Sequence, residues 1–212
     1  MIKRLATALA AAGLIGLSLG SVAYAQDADE GPVSLGGRVE VPEMGYALTA
    51  PDEWITIHPT ADDADAIIDS LSAIDPDLAA TTEQALAGGV NFSLLTFGEV
   101  DADSTFRENC NVLDYPAADA PLEDILAAEA AAFVEMGDRL ASGPETTILE
   151  LAAGEVGRID YGLQYPTLES IHAAYYYSDG TTSHLLTCTG LERPEDDWLS
   201  IAETFEFLDD EE

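Results

Sequence analysis

Cys110 and Cys188 are the side chains whose chemistry is easiest to read, because the chain holds only two cysteines and they stand far apart. In an oxidising compartment such a pair is expected to form a disulfide. Closing a loop of about 78 residues would contribute at most roughly 4 to 5 kcal/mol, less any strain. A metal centre is the poorer reading, since two thiols without a nearby histidine leave a zinc site short of ligands.

The three histidines are His58, His172 and His184. If His172 and His184 lie on two strands joined by a two-residue loop, strand alternation sends them to opposite faces of a sheet, so they do not share a metal or act as base and partner. Asp101, Asp103 and Thr105 imitate the start of a calcium loop, but Phe106 replaces its glycine and Val112 its closing acid. Asp62, Asp63 and Asp65 could gather a weak calcium ion, although acids at a helix start chiefly serve the helix dipole. Gly16, Ser18 and Gly20 match the pattern of a serine hydrolase elbow, but they lie in a segment expected to be removed. Asn91, Phe92 and Ser93 fit a glycosylation sequon. The 41 acids always offer carboxylate pairs for hydrolysis, yet no spacing singles out two of them. No catalytic residue, metal or cofactor is assigned from these patterns.

The first residues set the compartment. Lys3 and Arg4 precede an apolar run from Leu5 to Val22, and Ala23, Tyr24 and Ala25 close it. That is the layout of a secretory signal peptide with cleavage between Ala25 and Gln26. A retained anchor would want about 20 apolar residues. Residues 1–25 are therefore read as signal, and the remaining protein as periplasmic or secreted, with no stable membrane insertion. Without Lys3 and Arg4, five of the seven basic residues would face all 41 acids, and none of the five is lysine. Nucleic acid and anionic membranes would be repelled by such a chain. The acids are spread along the sequence, which suits a solvated surface.

The remaining length and the 47% hydrophobic content suit a single core. Residues 26–37, acidic and then glycine-rich, are expected to be a disordered lead-in to one domain over 38–209. Short strands are expected at Val39–Val41 and Tyr46–Thr49, with another at Trp54–Ile57. A capping box at Thr60 and Asp63 predicts a helix carrying Ile67, Ile68 and Leu71, and a second helix is expected from Asp77 to Leu86. Strands follow at Val90–Phe97 and Phe106–Leu113. Pro121 opens the strongest helix, with Leu122, Ile125, Leu126, Phe133, Met136 and Leu140 on one stripe and Gly143 ending it. Further strands are expected at Thr146–Leu151 and Val156–Leu163.

The clearest signal runs from Ser170 to Phe207. Asp179 and Gly180 suit a type I′ turn between Ile171–Tyr177 and Ser183–Thr189, pairing Ser178 with Thr181. Alternation then places Ile171, Ala173, Tyr175, Tyr177, His184, Leu186 and Cys188 on one face, with His172, Ala174, Tyr176, Ser183, Leu185 and Thr187 on the other. Both faces are apolar enough to need cover. A closing helix follows Pro194, with Trp198, Ile201, Ala202 and Phe205 at helical spacing. The class is α+β, an antiparallel sheet flanked by helices.

Gly45, Tyr46, Ala47 and Leu48 followed by Pro51 and Trp54, together with Thr204, Phe205, Glu206 and Phe207 at the end, resemble the PsbP-like family. That family includes photosystem extrinsic proteins and exported bacterial proteins. The resemblance implies an α/β/α sandwich and a binding or assembly role, and it carries over no site residues. The lysine-free, acidic composition departs from any contact that relies on basic residues. The expected function is an exported, non-enzymatic binding or assembly module for an unknown protein or small ligand. The alternatives are a carboxylate-dependent hydrolase and a weak calcium-binding structural protein.

Overall fold

A computed structural model describes residues 33–57, 64–74, 76–87, 92–100, 106–166, 168–192 and 197–208. The expected cleavage site at Ala25 and Gln26 lies outside them. In chain order the elements are β1 (Val33–Val41), β2 (Tyr46–Ile57), α1 (Ala64–Ile74), α2 (Pro76–Ala87), β3 (Leu94–Val100), β4 (Arg107–Pro116) and α3 (Leu122–Val134). Then come β5 (Leu140–Leu151), β6 (Gly154–Gln164), β7 (Glu169–Ser178), β8 (Thr182–Gly190), α4 (Asp197–Glu203) and β9 (Glu206–Phe207). Strand β1 begins inside the segment expected to be a disordered lead-in, because Val33 and Leu35 pair with Ile57 and Ile55 of β2.

The strands form one nine-stranded sheet in the order β1-β2-β3-β4-β8-β7-β6-β5, with β9 added alongside β2. Each pairing is antiparallel. The expected α/β/α sandwich is not formed. Such a sandwich needs a helical layer on each face, and here the cover is uneven. On one face, α1 and α2 pack Ile67, Leu71, Leu78 and Ala79 against Ile55, Ile57, Leu95 and Phe97. On that same face α3 packs Leu126 and Phe133 against Ile159, Tyr161, Ala174 and Leu185. The opposite face, with Cys110, Val112, Tyr175, Leu186 and Cys188, receives Trp198, Ile201 and Ala202 of the seven-residue α4. Phe205 completes that cover, its ring stacked 5.1 Å from Tyr46 and 3.9 Å from Tyr177.

The hairpin keeps its expected faces through a different loop. Ser178 pairs with Ser183 rather than with Thr181. The Asp179 carboxylate accepts the backbone N–H groups of Thr181 and Thr182, both at 2.6 Å, which makes the longer turn. A shift of two positions leaves the alternation unchanged, so His172 and His184 still point to opposite faces. The helix expected to reach Leu140 stops at Val134, the chain turns through a 3₁₀ segment at Gly137–Arg139, and Leu140 opens β5. Leu140 still packs beside Leu163 and its neighbours, but from a strand.

One residue breaks the apolar stripe of α3. Glu129 is 4% exposed between Leu126 and Phe133, and its Oε2 has no hydrogen-bond partner among the described residues. Burial raises this carboxyl from 4.5 to about 7. The folded protein therefore holds a proton that the unfolded chain releases near pH 4.5, and stability falls as pH rises from there towards 7. Glu129→Gln is expected to match the wild type near pH 5 and to exceed it at pH 8 by about 1 to 2 kcal/mol. Urea unfolding at the two pH values measures this, and a gap that does not widen with pH would rule the account out. Replacing Cys110 and Cys188 together with alanine should lower the unfolding free energy by up to about 4 kcal/mol, read from the same curves.

Candidate functional site

A groove of about 520 Å³ opens between β2 and α4, lined on the β2 side by Thr49 to Asp52 and Trp54 and across from it by Glu108, Ser200, Ile201 and Thr204. Its β2 wall exists because the β1–β2 ladder changes register in mid-strand. Tyr46 to Ala50 and Ile55 to Ile57 both pair with β1, and Ile55 to Ile57 pair with β3 as well, but residues 51 to 54 between them are unpaired with β1. Opposite the change, β1 contributes only Gly36 between the pairs Leu35–Ile55 and Gly37–Ala50. Position 36 has φ +45° and no room for a side chain, since a Cβ there would lie 2.3 Å from the Pro51 carbonyl oxygen. The bulge places Asp52 and Trp54 at the groove.

The two tryptophans of the chain are both seated here, each against a glycine. A Cβ on Gly98 would stand 3.0 Å from Trp54 Cε2, and one on Gly190 would stand 2.8 Å from Trp198 Cζ2. Trp198 is buried, and its Nε1–H donates to Glu108 Oε1. This bond holds a lining carboxylate in place from behind. On the other rim, Thr204 Oγ1 accepts the Thr49 N–H at 2.9 Å and donates to the Ile201 carbonyl at 2.7 Å. The Tyr177 hydroxyl donates to the Ala202 carbonyl at 2.8 Å, so α4 is fastened to β7 as well.

The residues singled out in the sequence lie elsewhere. Cys110 and Cys188 are bonded to each other across the β4–β8 pair, buried beneath α4. His172 is fully buried, with Nε2 2.7 Å from Ser170 Oγ and Nδ1 3.0 Å from Thr189 Oγ1. Burial lowers it to about 3, so it stays neutral. The Ser170–His172 spacing suits a nucleophile and base, but both residues are 0% exposed and out of reach of a substrate. His184, on the opposite face, has Nδ1 2.5 Å from Asp114 Oδ1 and packs among Tyr46, Phe205 and Phe207.

His58, Asp62, Asp63, Asn91, Asp101, Asp103 and Thr105 lie outside the described residues. Asp65 is exposed in the first turn of α1. Among the described residues, no three His, Cys, Asp or Glu side chains gather as metal ligands. No helix there is long and apolar enough to cross a membrane. Sequence reasoning missed Asp52 and Glu108, which belong to different strands and carry no motif. Trp54 was visible as a strand residue, and nothing local marked it as a groove wall.

No family model matches the chain, and no curated protein matches it. Solved structures similar to it include one from Bacteroides thetaiotaomicron, at 8% identity and a TM-score of 0.47 over 83% of this chain and 50% of that one. This chain thus spans half the length of that structure. Another is LpqN, involved in cell envelope biogenesis of Mycobacterium tuberculosis, at 10% identity and a TM-score of 0.44 over 82% of this chain and 86% of that one.

The rim bond generates a prediction. Thr204→Val should cost about 1 kcal/mol and speed hydrogen exchange at the Thr49 amide, because the hydroxyl that joins β2 to α4 is lost. Native-state exchange measured by NMR tests it, and an unchanged Thr49 rate would show that the bond does not hold the rim.

Proposed function

We propose that this protein is an exported, non-enzymatic binding module that takes a small ligand in the groove between β2 and α4. The observation that carries this reading is the open groove itself, walled by Trp54 and bordered by Asp52, Glu108, Ser200 and Thr204. Concave sites with an aromatic wall and a few fixed polar groups are the usual form of a small-molecule site. The Cys110–Cys188 disulfide and the signal-like first 25 residues support a location outside the cytoplasm, periplasmic or secreted. The PsbP-like resemblance is in keeping with a binding or assembly role, though it carries over no site residues.

Both tryptophans report on the groove, so intrinsic fluorescence is a direct probe. Titration of the disulfide-intact protein with a panel of neutral, anionic and cationic small molecules should give a saturable change with at least one of them. Trp54→Phe should weaken that binding several-fold and, because Trp54 is buried, lower the melting temperature as well, whereas Asp52→Ala at an exposed position should weaken binding with the melting temperature nearly unchanged. Binding unaffected by groove variants would place the site elsewhere. Turnover of a bound compound that vanishes with Glu108→Gln would overturn the non-enzymatic reading.

A further inference from the structure

We infer that helix α3 is a pH-sensitive cover, seated on β6 and β7 while Glu129 keeps its proton and opening locally from the sheet once that carboxyl ionises. The position of Glu129 carries this inference. Helix α3 turns Leu126, Glu129 and Phe133 inwards, where Leu126 and Phe133 pack with Ile159, Tyr161 and Leu185. Glu129 is as buried as they are, and its Oε2 has no partner among the described residues. A carboxylate held there has neither water nor a counter-ion, so ionisation favours the state in which the helix has left the sheet.

The groups that face Glu129 offer it no cation. From β4, Tyr115 brings an unpartnered hydroxyl, pushed up by burial and then by Tyr176 and Glu129, so the carboxyl is within electrostatic reach of it. From β7, the Tyr176 hydroxyl lies 2.6 Å from Ser183 Oγ. From β6 comes the buried Tyr161, and behind its ring stacks His172, which burial keeps neutral. Strand β5 adds Leu140 and Ile148, and by alternation Glu150 and Glu155 of the β5–β6 hairpin share this face, both exposed. Asp114 is on the opposite face with His184. The cation nearest in sequence, Arg139, is exposed in the 3₁₀ segment beyond the helix.

Helix α3 is also a part of the fold that can give way alone. Hydrogen bonds from Thr204, Tyr177 and Trp198 fasten α4, whereas among the described residues no α3 side chain hydrogen-bonds to the sheet and none caps its first turn. The connections at 118–121 and 137–139 are exposed. The β6–β7 and β7–β8 ladders beneath the helix are complete without it. Segments held by few contacts open at a lower free energy than the core strands.

Burial raises the Glu129 carboxyl from 4.5 to about 7, so the seated helix is most stable below pH 4.5, weakens as pH rises, and reaches its floor above about 7. Native-state hydrogen exchange on the disulfide-intact protein from pH 5 to 8.5, corrected for intrinsic exchange rates, tests this. Protection of the Leu126 to Phe133 amides should fall at least about tenfold between pH 5 and 7 and little further above. The fall should level off where the Glu129 carboxyl carbon titrates by ¹³C NMR. In Glu129→Gln the α3 protection should stay constant over the same range. At every pH the α3 amides should exchange faster than those of β4 and β8 and respond less to low urea, because a local opening exposes little surface. A flat profile in the wild type, an equal fall in Glu129→Gln, or a mismatch between levelling and titration would overturn the inference. So would α3 amides that share the rates and urea dependence of β4 and β8, since the helix would then open only with the whole protein.

Discussion

The antiparallel pairing of β4 with β8 is the constraint on which the rest of the structure depends. Strands β1 to β4 follow one another across the sheet, and β8 to β5 run back in reverse order, so this ladder joins the two halves. It spans eight facing pairs from Asn109–Thr189 to Pro116–Thr182. Cys110 and Cys188 face each other within it, and their bond prevents the two halves from slipping past one another. A slip of β8 by one residue against β4 would turn the β8 side chains to the other face, leaving Cys110 beneath α4 and sending Cys188 towards α3.

Register at this seam decides what each face presents. One side places Leu113, which packs with α1 and α2, beside Leu185, which packs with α3, and Tyr115 touches both groups. The other side gathers Val112, Leu186 and the disulfide under Trp198 and Phe205. The buried polar residues follow the same alternation. His172 meets Ser170 and Thr189 on the α3 side, while His184 meets Asp114 among the rings of Tyr46 and Phe205. Two histidines close in the sequence of one hairpin are thus separated by the thickness of the sheet, each answered by its own partners.

The groove grows from an irregularity in the otherwise regular sheet. Where β1 offers one glycine against four residues of β2, the ladder is interrupted, and Asp52 is left exposed beside the buried Trp54. Helix α4 then stands across from the bend, held by Thr204, Tyr177 and the indole–carboxylate bond to Glu108. Rigid strands and a short fastened helix suit a preformed site, since little has to be ordered when a ligand binds.

Local patterns determined a good deal about this protein. Period-2 alternation in Ile171–Tyr177 and Ser183–Thr189 assigned every side chain of the hairpin to its face, and it survived an error in loop length because the shift was even. The spacing of Trp198, Ile201 and Ala202 identified α4, and the two cysteines implied their bond. The same periodicity overextended α3 to Leu140, because an apolar residue at helical spacing reads the same from a strand that packs on the same core. The uneven helical cover was not legible, since amphipathic stripes show that a helix packs on a sheet without showing which face it takes. Nor was the groove, because Gly36, Trp54, Glu108, Trp198 and Thr204 come from separate elements. Only the tertiary structure decided their meeting, through strand register between residues far apart in the chain, and the order of neighbouring amino acids does not encode that register.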